Sequence, residues 1–220
     1  MTNDTTTLPV RTPALDGTDP RDLLARAMAT AAEVIGAVRP DQMELPTACD
    51  DFDVRGLLAH LVAVLDRIVV IGNRGNIFAV PAQSEMLPDD QWPVRWDATV
   101  HSALDAWADD DLLDAERQLP WTVLPGRDAL AIYINELTVH TWDLAQATGQ
   151  QPDWEDELHA ISLQAIHAQL PDASRTAKWA EFAAAAPDGV VFTAPFADAV
   201  DVDADVSVIE RIIAWNGRRP

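Results

Sequence analysis

A single cysteine, Cys49, stands in this chain of 220 residues, so no intrachain disulfide can form and nothing in the composition points to an oxidising compartment. Basic residues are also scarce. Against 36 Asp and Glu there are 15 Lys and Arg, a formal charge of -21, and such a surface repels a phosphate backbone or an anionic membrane. The acidic residues are scattered over helix faces and loops, which argues against mimicry of a nucleic acid and for a plain solvated exterior. No run of about 18 apolar residues occurs, and the opening MTNDTTTLPVRTPALDGTDP has neither the basic stretch nor the apolar run of a secretory signal. These absences lead to the expectation of a cytoplasmic protein, monomer or homodimer, with neither nucleic acid nor membrane as partner. Internal repeats are also missing, and low complexity is confined to the run Ala183 to Ala186.

What the chain does have is apolar material in helical order. Apolar residues make up 48% of it and the mean hydropathy is -0.05, enough for one sizeable core. Asp19 and Pro20 form a cap and first-turn pair, after which Leu23, Leu24, Met28, Ala31, Ile35 and Val38 recur at helical spacing until Pro40, predicting a helix over residues 19 to 38. A second helix is capped by Asp53 and ends near the cluster Gly72 to Gly75. A third runs from Pro93 to Ala108, and a fourth from Arg127 or Asp128 to Thr148, with Gly149 as its left-handed terminator. Pro120 and Pro125 bracket WTVL, which reads as a short extended hairpin or loop. Two more helices, Asp153 to Leu170 and Asp172 to Ala186, are split by Pro171. GVVFTAPFADAVDVDA reads as one or two short strands and DVSVIERIIAWNG as a closing helix ended by Gly217. The fold expectation is mostly α: an up-and-down four-helix bundle over residues 19–150, preceded by a flexible tail over 1–18. Residues 151–220 supply extra helices, a short strand-containing tail and a closing helix packed on the bundle.

The stretch INELTVHTWDLAQATGQ carries the chemistry. Glu136 and His140 are four apart on the fourth helix, about 40° and about 6 Å from each other around and along its axis, so they share a side. Their neighbours Ile134, Leu137 and Leu144 must be buried, and a carboxylate inside a bundle costs several kcal/mol unless it is paired, protonated or bound to a cation. A metal is one solution, and it needs a third ligand. His60, in LLAHLVAVL, is either a core histidine bonded to a backbone carbonyl or that ligand, reaching across from the second helix. Two imidazoles and one carboxylate leave coordination positions open, the pattern of a catalytic zinc site; ferrous iron and nickel suit the same donors. His101, His159 and His167 fall to surface or packing roles.

Three pieces together, ELPTACDDFDVRGLLAHLV, NELTVHTWDLAQATG and VIERIIAWNGRRP, resemble the actinobacterial branch of DinB-like metal-binding proteins related to the mycothiol-dependent maleylpyruvate isomerase N-terminal domain. The resemblance covers roughly residues 20 to 220. It implies a four-helix bundle holding a divalent metal, zinc before nickel or iron, on His60, Glu136 and His140, with mycothiol or a similar small thiol as cosubstrate. A thiol on a metal loses its proton and becomes a nucleophile, which implies an S-transferase or an isomerase acting on a small electrophile. The isomerase has a separate C-terminal domain that helps form its active site; here about 30 residues follow the helices, so specificity for maleylpyruvate does not carry over. Asp143, three residues after His140, is placed to orient an imidazole or to sit as a surface charge beside Trp142. Arg67, seven after His60, is placed to meet an anionic substrate or to balance Glu136, and Tyr133, one turn before Glu136, to act as a general acid or to pack. Cys49 can approach the site through its loop or remain a buried thiol. The alternative to an enzyme is a metal-stabilised binding or regulatory protein without turnover.

Overall fold

The computed structural model describes residues 17–170, 175–185 and 197–220. Four long helices make the body: α1 (Pro20–Gly36), α2 (Val54–Gly72), α3 (Trp92–Ala106) and, after the one-turn α4 (Asp111–Asp114) and the strands β1 (Glu116–Gln118) and β2 (Val123–Pro125), α5 (Gly126–Thr148). Helix α1 packs on α5 and α3, and α2 packs on the same two. The ring order is therefore α1, α5, α2, α3, with α2 and α5 as direct neighbours. The expected four-helix bundle is present.

Helix starts are set by side chains in sequence. The Asp19 carboxylate accepts the Arg21 N–H at 2.9 Å with Pro20 in the first turn, and the Asp53 carboxylate accepts the Gly56 N–H at 2.7 Å, satisfying donors that the helices leave open. Helix α5 ends as its sequence predicts. Gly149 adopts φ +70°, the Gln150 N–H reaches the Ala145 carbonyl at 2.8 Å, and the Gly149 N–H reaches that of Gln146 at 3.3 Å. These are the paired bonds of a Schellman closure.

The interior combines Leu23, Met28, Leu57, Leu61, Leu65, Ile68, Trp92, Trp96, Leu130 and Leu137, among others, all buried. Helix α5 lies deepest, with nineteen of its twenty-three residues buried, as expected of a helix covered on several sides. The strands pair antiparallel, Arg117 opposite Leu124; β2 lies in the segment read as a hairpin, whereas β1 falls before it.

Helix α6 (Asp156–Gln169) packs on α5, and α8 (Val208–Trp215) packs on α6 and α5. Helix α7 (Arg175–Ala185) lies between them in sequence. A second apolar cluster of Val139, Trp142, Ile209, Ile212 and Ile213 joins α8 to α5, and Asn135 and Asn216 exchange side-chain amide hydrogen bonds at 2.9 and 3.0 Å in the same interface. Of the strands expected over 189–204, residues 189–196 lie outside the described residues, and 197–204 form no strand. Most of the expected tail, residues 1–16, likewise lies outside them. Among the described residues no helix is long and apolar enough to cross a membrane.

Candidate metal centre

Because α2 and α5 are neighbours, the fold brings the three candidate ligands read from the sequence together. One donor atom each from His60, Glu136 and His140 lies within 4.8 Å of the others; His60 Nε2 is 3.7 Å from Glu136 Oε1, and the two imidazole rings meet edge to face at 4.7 Å between centroids. His60 is 8% exposed and His140 9%. Phe52 stacks on the His60 ring at 4.8 Å, closing one face.

The second nitrogen of each imidazole is already committed. His60 Nδ1 lies 2.7 Å from the Ala82 carbonyl, and since a carbonyl only accepts, the ring nitrogen donates and carries the proton. Nε2 of neutral His60 is then a bare lone pair, and it faces a carboxylate oxygen. His140 Nδ1 lies 3.0 Å from Asp143 Oδ2, the carboxylate–histidine arrangement that leaves the far nitrogen free for a metal. The ligand and core readings of His60 are thus compatible: one nitrogen serves each.

Burial is the largest influence on His60, followed by the neighbouring His140, with Arg67 and Arg218 adding to both and the Ala82 bond opposing them; its pKa is pushed down to about 3. A histidine neutral at pH 7 is the form that ligates. The donor set fits a divalent cation: one imidazole nitrogen from His60, one from His140 and a carboxylate converge from two helices, with no proton donor between His60 Nε2 and Glu136.

The surrounding residues sort by what they touch. Arg67 Nη1 is 3.9 Å from Glu136 Oε1, too far for a hydrogen bond, while its Nη2 donates to the Pro81 carbonyl at 3.0 Å. The loop holding Pro81 and Ala82 is tied to α2 again by Gln83, which donates to the Gly56 carbonyl at 3.1 Å, and by the Ser84 N–H, which donates to that of Ala59 at 3.0 Å. Tyr133 is 3% exposed, and burial, reinforced by Glu136, pushes its hydroxyl to a higher pKa, keeping it protonated. Asp143 is not a surface charge beside Trp142. It is fully buried, and Arg218 grips it through Nε to Oδ1 at 3.1 Å and Nη2 to Oδ2 at 2.9 Å. Burial raises its pKa, but His140 and Arg218 outweigh that and hold it below the usual carboxylate range.

Cys49 does reach this region: its sulfur, a His140 nitrogen and an Asp143 oxygen lie within 4.8 Å of one another. That second grouping is the poorer cation site, because both Asp143 oxygens are already taken by Arg218 and His140, and burial pushes the Cys49 thiol up. His101 is exposed and bonded to its own helix at the Asp97 carbonyl; His159 packs against Trp154 and His167 against Trp215. A cavity of about 430 Å³ bounded by Ile35, Met43, Leu58, Asp89 and Trp92 includes none of the three candidate ligands and offers no comparable donor set. Sequence reasoning missed the Ala82 carbonyl and Arg218; for the latter the available signal was the pair of arginines immediately beyond the predicted terminator Gly217.

A helical bundle with a histidine–glutamate–histidine cluster, its two imidazoles buried and its carboxylate partly so, between two of its helices defines the class to which this molecule belongs. The model of the mycothiol maleylpyruvate isomerase N-terminal domain family matches residues 24–145, more than half of the chain, and the chain belongs to that family. Two uncharacterised proteins of Mycobacterium tuberculosis, one from strain CDC 1551 / Oshkosh and one from strain ATCC 25618 / H37Rv, are each 29% identical over 150 residues, covering 68% of this chain and 79% of the relative. No solved structure matches.

Proposed function

We propose that this chain holds a divalent metal, zinc in the first place, on His60, Glu136 and His140, and that it uses the centre to activate a small thiol such as mycothiol for transfer to, or isomerisation of, a small electrophile. The observation that carries the reading is the tautomer of His60: with Nδ1 spent on Ala82, its Nε2 lone pair points at a carboxylate oxygen, a pairing that only a proton or a cation between them makes favourable. A bound divalent cation would supply Lewis acidity that makes a coordinated thiol a thiolate at neutral pH. The remaining work belongs to the chain. Asp143 fixes the His140 ring, the Ala82 carbonyl fixes that of His60, and the apolar wall around Phe52 keeps the cluster from bulk water. Arg67, loosely held beside Glu136, is free to meet a carboxylate on the electrophile, and Tyr133, kept protonated, has a hydroxyl with which to donate a hydrogen bond to a substrate oxygen.

His60→Ala, Glu136→Ala and His140→Ala are each expected to lower bound metal below one per chain by elemental analysis. Full occupancy in all three would end the proposal. A small thiol, titrated calorimetrically, is expected to bind the metal-loaded protein and not the chelated one; equal affinity for both would remove the thiolate role and leave the metal centre standing. Chelation is expected to abolish thiol conjugation while helical circular dichroism persists, since the bundle has its own apolar core; a collapse of helicity on chelation would mark the ion as structural.

A further inference from the structure

The C-terminal segment reaches the metal centre through one side chain. Helix α8 ends with Gly217 at φ +85°, the Arg218 N–H donating to the Ile213 carbonyl at 3.1 Å and the Gly217 N–H to that of Ala214 at 3.0 Å, a Schellman closure that reverses the chain. A Cβ at position 217 would lie 2.5 Å from Ala197 Cβ and 3.0 Å from the Asp198 carbonyl oxygen, so both conformation and space call for glycine. The reversal delivers Arg218 to Asp143, 75 residues earlier in sequence. Every arm of the guanidinium is used: Nε and Nη2 take the two Asp143 oxygens, and Nη1 donates to the Asn216 carbonyl at 3.1 Å. Asn216 is itself locked to α5 through Asn135.

We infer that Arg218 is a positioning residue of the metal centre: its fork holds the Asp143 carboxylate in the one orientation in which Oδ2 accepts the His140 Nδ1–H, and so aims the other His140 nitrogen at the cluster. The inference rests on the metal reading above and extends it, because Arg218 lies beyond residues 24–145, the span shared with the family. Asp143 has three donors, two of them from Arg218, and its oxygens are sealed from water. Without the fork, a buried carboxylate bonded only to His140 can turn toward any donor that relieves it, and the imidazole turns with it. The centre is then completed by a segment outside the bundle, docked through the apolar contacts of α8 with Val139 and Trp142.

The test is zinc affinity of the full chain, measured by competition with a chromophoric chelator, for wild type, Arg218→Met, Arg218→Lys, Asp143→Asn and the double variant Asp143→Asn with Arg218→Met. Arg218→Met is expected to weaken zinc binding by about 10- to 100-fold, the range typical of outer partners of a ligand histidine. Arg218→Lys, which keeps the charge and loses the fork, is expected to lie between that variant and wild type. In the Asp143→Asn background the Met substitution is expected to change affinity less than about twofold, because Arg218 acts through Asp143. A purely structural ion pair would instead lower the melting temperature of the metal-free protein and leave the zinc dissociation constant where it was. A wild-type dissociation constant in folded Arg218→Met, or in Arg218→Lys should the Met variant not fold, overturns the inference, as does an undiminished effect in the Asn background. A wild-type chain that takes up no zinc overturns the metal reading and this inference with it, whereas tight wild-type binding with unaffected variants overturns the inference alone.

Discussion

The two nitrogens of His60 meet opposite neighbours: an acceptor at Nδ1 that fixes the proton there, and at Nε2 another acceptor, the Glu136 carboxylate at 3.7 Å. In the metal-free chain that second contact sets two lone pairs against each other at a site largely closed to water. Glu136→Gln replaces one oxygen with an amide that can donate to Nε2, at the cost of a loose 3.9 Å contact with Arg67, which keeps its bond to Pro81. The metal-free variant is therefore expected to be more stable than metal-free wild type by about 1 kcal/mol, seen as a rise of roughly 2–4 °C in melting temperature, while its bound metal falls below one per chain. A lower melting temperature in the chelated variant would mean that Glu136 is satisfied without a cation. Glu136, His140 and His60 were all legible as candidates, since a charged or titratable residue amid obligatorily apolar neighbours stands out in the sequence. The Ala82 carbonyl was not, because a main-chain acceptor in a loop has no residue type to mark it, and Arg218 reaches Asp143 only through the docking of α8.

Among the elements, those with strong local signals were legible close to their ends. Helices α1 and α2 begin at the aspartate caps, and α5 ends at its glycine, because caps act within a few residues of where they are read. The short pieces were not: α4 and β1 are held by their neighbours, with Arg117 buried under Trp107 at 5.7 Å, a tertiary contact that no local pattern announces. Gly149 and Gly126, at the two ends of α5, separate the two reasons for a glycine. At 149 a Cβ would meet nothing within 4 Å, so Gly149→Ala is expected to cost only the left-handed backbone, about 1 kcal/mol, read as a small fall in the urea midpoint with unchanged slope. At 126 a Cβ would lie 2.1 Å from the Leu112 carbonyl oxygen, and Gly126→Ala is expected to cost clearly more, since the backbone of α4 must move. Equal costs at the two positions would contradict this division.

For the molecule as a whole, buried histidines set how stability follows pH. His159, 3% exposed on α6, has its pKa pushed down to about 4 by burial, against the opposing pull of Asp156 and Glu155 and with Arg26 adding to the depression. In the unfolded chain the same ring titrates near 6.5. Between those two values the unfolded state holds a proton that the folded state refuses, so stability falls as pH falls through the window, by up to about 1.4 kcal/mol per pH unit for one such group. His60 acts in the same direction in the metal-free protein, its folded value of about 3 lying further below. Carboxylates held low, such as Glu155 beside Arg26, titrate in both states mostly below about pH 5 and leave the slope between pH 7 and pH 5 to the histidines. Urea unfolding of the chelated protein at pH 7, 6 and 5 is therefore expected to show a steady loss of stability, and His159→Phe, which cannot titrate and keeps a ring against Trp154, is expected to show a shallower one. The His60 contribution is common to both proteins and cancels in the comparison. Parallel lines for the two would place the His159 proton on the folded protein across this range, and with it a hydrogen-bond partner for the Nδ1 that now has none among the described residues.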